Sequence, residues 1–103
     1  MKYQVQENCL VIFLPREVDH HRAEEIRKES DYLIGRNHIR YVIFDFAETE
    51  FMDSSGIGMI MGRYKSINMI GGEVCAVHTN ERMKKVLTMS GETKIVQIYE
   101  EEQ

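Results

Sequence analysis

RYVIFDF, residues 40–46, is the stretch on which the fold turns. Its β-branched and aromatic side chains follow one another without polar alternation over a length too short for an ordinary helix. The run therefore reads as a central strand buried on both faces. Such a strand needs parallel neighbours and helices to cover it, so strand and helix should alternate around it. Upstream, residues 3–6 and 9–14 flank Glu7-Asn8 as a hairpin, and Pro15, with no amide to give to a ladder, ends the second strand. Asp19 is placed to cap a helix reaching about Ile34, with Ala23, Ile26, Ser30 and Leu33 or Ile34 inward and Gly35 as its stop. Downstream, residues 47–52 read as a turn, and a second helix follows until Gly71-Gly72 breaks it. Residues 73–77 form a strand, Thr79 or Asn80 caps a third helix ending at Ser90-Gly91, and residues 94–99 are a last strand. The expectation is an α/β fold with a mixed, mainly parallel central sheet of about five strands and about three helices.

The 103 residues suffice for one domain, 1–103, that folds without staples. At 43% hydrophobic and 29% charged residues the chain reads as globular, and its net charge of -4 carries no electrostatic footprint for nucleic acid. Arg82, Lys84 and Lys85 fit one solvated helix face. No apolar run is long enough to cross a membrane and the first residues lack a signal-peptide core, which points to the cytoplasm. Cys9 and Cys75 sit in strand-like runs without metal-ligand spacing and read as buried, reduced thiols. His20 and His21 point about 100° apart on a helix, so they do not form a metal pair; they read as solvated helix-start residues. No cofactor or metal is expected.

The second helix opens with FMDSSGIGMIMGRYK, residues 51–65. At 100° per residue, Ile57, Ile60, Met61, Tyr64 and Ile67 share the side that faces the sheet. Ser55, Met59, Gly62 and Ser66 then fall on the opposite side, a face of small residues and one adaptable thioether where a surface helix would carry charges. Ser54 points to the edge of the buried side, where it or Asp53 serves as N-cap. Ser55 projects outward from the first turn, where unpaired amides and the helix dipole would tolerate a phosphoryl group carrying about -1.5 to -2 charge. The nucleophile reading is weaker, because Asp-Ser-Ser-Gly lacks the leading glycine of a GxSxG elbow. The glycines at 56, 58 and 62 have neither dinucleotide nor P-loop spacing.

FMDSSGIGMIMGRYKSI, with VDHHRAEEIRK before it and IGGEV and MSGETKIV after it, closely resembles the anti-sigma factor antagonists, bacterial members of the STAS domain family. Within that family the DHH and GRYK elements are most similar to antagonists serving the forespore sigma factor of spore formers, with a stress-response antagonist as the alternative. The resemblance implies a STAS-like fold and a switch protein that is no enzyme. Unphosphorylated, it would bind an anti-sigma factor that is also a serine kinase, and so free the sigma factor. The kinase, using ATP and magnesium, would phosphorylate Ser55, and a phosphatase would reverse this. The resemblance also matches Asp53 and Gly56 to the motif flanking Ser55 and Glu17 and Asp19 to the acidic loop beside it; the face of Ser55, Met59 and Gly62 is expected to pack against the kinase, with Ser54 at its edge. Arg16 stands where the family usually has glycine, and the family's terminal helix has no counterpart after Tyr99, where only EEEQ follows, leaving some sheet surface open. Two readings from other classes remain: a regulatory domain of a membrane transporter, and a serine hydrolase acting through Ser55.

Overall fold

The computed structural model describes residues 2–89 and 97–99, and its main sheet has the order β1 (Tyr3–Gln6), β2 (Cys9–Phe13), β4 (Tyr41–Asp45), β6 (Glu73–Val77), β7 (Gln97–Tyr99). β1 pairs antiparallel with β2, and Glu7 takes the left-handed conformation at φ 56° that closes the hairpin. β2, β4, β6 and β7 run parallel. This is the mixed, mainly parallel five-stranded sheet expected. The crossovers are α1 (His20–Asn37) and α2 (Ser54–Met69), and α3 (Glu81–Met89) follows β6 with Asn80 Oδ1 accepting from the Met83 amide at 2.8 Å. Residues 90–96 and 100–103, which hold the expected third-helix stop, the start of the last strand and the acidic tail, lie outside the described residues.

Register places Leu10, Val42 and Val74 in one row and Ile12, Phe44 and Ala76 in the next, all buried on the same face. α1 adds Ala23 and Ile26 over that face, and α2 adds Ile60 and Ile67, in agreement with the helical periodicities. On the opposite face Val11, Ile43 and Cys75 share a row but are only half-buried, and Tyr41 is exposed. β4 is thus fully buried on one face only, which corrects the reading of 40–46: an unbroken apolar run does not distinguish a covered face from a partly covered one. Both cysteines are free and half-buried, and desolvation pushes the Cys75 thiol up to about 11, so it is an un-ionised thiol at neutral pH.

α1 does not stop at Gly35. It continues to Asn37, and His38 takes the left-handed cap at φ 54° with its neighbour Ile39 donating to the Ile34 carbonyl at 3.2 Å. Arg36 in the last turn favours that end of the dipole. α2 ends as expected before Gly71-Gly72, Gly71 sitting at φ 80°. Two short elements were not legible: β3 (Glu17–Val18) and β5 (Phe51–Met52), which pair in parallel as a separate ribbon, β5 at the end of the stretch 47–52 expected as a turn.

Between the helices lies Arg63, buried, with Nε 3.1 Å from Asp31 Oδ1 of α1. Nε and Nη1 have no hydrogen-bond partner among the described residues. Desolvation lowers the Arg63 pKa and the Asp31 charge opposes it. The pair bridges the helix interface more by charge than by directed bonding.

Candidate functional site

Two helices begin side by side at the carboxyl edge of the parallel strands, the usual place for function in α/β sheets. The β3–β5 ribbon sets this up. Glu17 pairs with Phe51 and Val18 with Met52; Val18 and Met52 point into the core, Glu17 and Phe51 to solvent. Each strand then runs into an aspartate with extended backbone, Asp19 at φ -91° and Asp53 at φ -94°, and each aspartate caps a helix. Asp19 Oδ1 accepts from the Arg22 amide at 2.9 Å. Asp53 Oδ1 accepts from the Ser55 amide at 2.9 Å and the Gly56 amide at 3.2 Å, while the Asp53 amide donates to the Val18 carbonyl at 3.2 Å. The two caps are therefore tied to each other through backbone.

Gly56 is the residue that lets α2 seat on the ribbon. A Cβ there would lie 2.5 Å from Met52 Cγ and 3.0 Å from Val18 Cγ1. Its place beside Ser55 holds that serine's backbone close to β3 and the start of α1.

The serines differ from the angular reading. Asp53 alone is the cap, and Ser54, the first helical residue, is exposed. Ser55 is half-buried, facing α1, with Oγ 3.2 Å from His20 Nδ1. Its hydroxyl donates to an unprotonated Nδ1 or accepts from a protonated one. Met59, expected outward, is 4% exposed and belongs to the core. Ser55 and Met59 share a reason: α2 is covered on two sides, by the sheet and by α1, whereas a single inner face was assumed.

Ser55 stands at the end of a groove of about 300 Å³ between α1 and α2, lined also by His20, Ala23, Arg27, Gly58 and Gly62. A Cβ at Gly58 or Gly62 would meet nothing within 4 Å, so the small residues leave open space there. The groove's charges are largely engaged: Arg27 pairs with Glu24 and lies 3.8 Å from Asp31, and its hydrogen bond holds Glu24 below the usual carboxylate range. Of the residues singled out in the sequence, Glu17, Asp19, Asp53, Ser54, Ser55 and Gly56 meet at this edge. Gly62 lies farther along the groove, and Met59 supports it from beneath.

Unpaired amides were expected at the helix start, but Asp53 Oδ1 occupies those of Ser55 and Gly56. Asp53→Ala should lower stability by about 1 kcal/mol, or roughly 4–8 °C in Tm, read from thermal melts.

Sequence reading missed His20 and the exposed Phe51. A signal existed: Val18-Asp19 and Met52-Asp53 repeat the same strand-to-cap step. Pairing the two steps would have put His20 beside the serines.

The STAS domain model matches residues 1–103. The chain is 40% identical over 93 residues to an anti-sigma F factor antagonist of Paenibacillus polymyxa, covering 90% of this chain and 80% of that one. It is similar to the unphosphorylated anti-sigma factor antagonist SpoIIAA, with TM-score 0.75 and 27% identity over 98% of this chain and 88% of the other. The phosphorylated form of the Bacillus cell-fate determinant SpoIIAA gives TM-score 0.75 and 30% identity over 94% and 90% of the two chains. Among the described residues no helix is long and apolar enough to cross a membrane.

Proposed function

The chain belongs to the STAS domain family and its anti-sigma factor antagonists, and from that premise we propose that it is an antagonist switched by phosphorylation of Ser55. Unphosphorylated, it binds an anti-sigma factor that is also a serine kinase, and the sigma factor is released. The kinase transfers the γ-phosphoryl group of ATP to Ser55 Oγ, ADP leaves, and the hydroxyl proton passes to a base of the kinase. A phosphatase hydrolyses the ester and restores binding.

The observation that carries this reading is the position of Ser55: a half-exposed hydroxyl at a capped helix start, between two acidic caps, in a fold whose SpoIIAA relative also exists phosphorylated. The binding face would comprise Glu17, Asp19, Asp53, Ser54, Ser55 and the groove toward Gly62, with Phe51 beside Glu17 as an apolar contact and Gly56 and Met59 shaping it from below. Relatives named as anti-sigma F factor antagonists favour that partner class over a stress-response one.

Incubation with candidate anti-sigma kinases and Mg-ATP should give one phosphate per chain, mapped by mass spectrometry to Ser55. Thr49 is an unfit competitor, since it is 1% exposed and its hydroxyl donates to the Pro15 carbonyl at 2.9 Å. The exposed Ser54 is the real alternative, and phosphate there would overturn the assignment.

The His20–Ser55 contact gives a serine hydrolase one of its requirements. The Ser55 and Gly56 amides, which an oxyanion hole at that helix start would use, are held by Asp53, which counts against it. An organophosphonate probe should accordingly leave Ser55 unlabelled.

A further inference from the structure

We propose that His20 is the internal clamp of phosphorylated Ser55, its imidazolium pairing with the phosphoryl oxygens across the starts of α1 and α2. This rests on Ser55 being the modified residue and deepens that reading. The starting contact is already made: Nδ1 and Oγ are 3.2 Å apart, joining residues from two different helices. A phosphoryl group on Oγ extends into the space beside that ring.

The surroundings leave the role to His20. The helix-start amides of Ser55 and Gly56 are bound to Asp53 Oδ1, and the Arg22 amide is bound to Asp19 Oδ1, so these donors are engaged. From α2 the group meets the Asp53 carboxylate and, farther along the groove, Arg63, which is buried against Asp31. From α1 the groove adds Glu24 and Arg27, which are paired with each other, and the Asp19 cap stands one residue before His20. A dianion between Asp19, Asp53 and Glu24 is repelled unless a cation touches it, and histidine supplies a charge in the physiological pH range. The charge-assisted N–H to phosphate bond is stronger than the neutral contact it replaces. The consequence is a phosphate pinned at the groove mouth, where a partner must seat, and a dephosphorylation step that has to break the pair.

The test uses the full chain with phosphoserine genetically encoded at position 55, so no kinase is needed. Failure of a kinase to label Ser55 would sink the proposed switch and leave this measurement intact; failure here would leave the switch standing. In a phosphorus-31 NMR titration, the phosphoserine midpoint of the native sequence should lie about one pH unit below that of the His20→Asn chain, the direction a touching cation imposes. His21→Asn, one position along on the exposed side of α1, should behave as the native sequence does. Coinciding midpoints for native and His20→Asn chains overturn the clamp. A second readout needs no substitution and stands even where His20→Asn fails to fold. The His20 ring nitrogen-15 resonances should move on phosphorylation well beyond those of His21, and equal movements of the two rings overturn the proposal as well.

Discussion

Phosphorylation of Ser55 should weaken binding to the anti-sigma factor on the order of a thousandfold, and Ser55→Asp by about a hundredfold, measured by titration calorimetry against the purified kinase. The size follows from desolvation. A partner seated on the groove strips water from Ser55, and a charge left there without a matching partner group costs several kcal/mol, each 1.4 kcal/mol being about tenfold. Aspartate carries one charge against about two for phosphoserine and so has the smaller effect. Ser55→Ala should bind as the native chain does, yet remain bound in ATP, because the acceptor hydroxyl is gone. All three forms should keep the fold, since Gly56 and not Ser55 makes the tight contact with the ribbon. Native-like affinity of Ser55→Asp for the kinase would contradict the desolvation argument.

The largest stability effect belongs to a glycine far from the serine. Gly72→Ala should cost about 3 kcal/mol or more in urea unfolding. A Cβ there would lie 2.0 Å from the Arg40 carbonyl oxygen and 2.6 Å from Ile67 Cγ2. The backbone on both sides is committed: the Gly72 amide donates to the Ile67 carbonyl at 2.9 Å and the Glu73 amide to the Arg40 carbonyl at 3.0 Å. Relief would require moving β4 away from the start of β6. Gly58→Ala provides the contrast. Its Cβ has open space, so a mid-helix alanine should stabilise by about 0.5–1 kcal/mol while narrowing the groove. A Gly72→Ala chain as stable as the native would show that β4 and β6 approach less closely than described.

Much of the architecture is written in local pattern. β6 falls on residues 73–77 as read, Asp19 caps α1, and Ile60 and Ile67 turn inward, because each depends on residues a few positions away. What pattern could not supply was the neighbour. Met59 and Ser55 are turned by the presence of α1, which a helical wheel of α2 does not contain. β3 and β5 are two residues each, too short to show alternation, and exist as strands only because they meet. His38 ended α1 in place of Gly35 because a left-handed cap is decided by the turn that follows, where Ile39 must enter the core. The resemblance of residues 51–67 to a known family placed the phosphorylation candidate on Ser55. It did not show that a histidine from another helix touches it.

The β3–β5 ribbon joins segments separated along the chain by all of α1 and β4. Such a junction closes only where the rest of the fold brings both ends together, at the entropic cost of a long loop. Ser55 thus acquires its neighbour His20 through tertiary structure, and a peptide of residues 51–65 would present the same letters without the address. A partner that reads this edge would therefore read the folded domain and not the sequence of residues 51–65 alone.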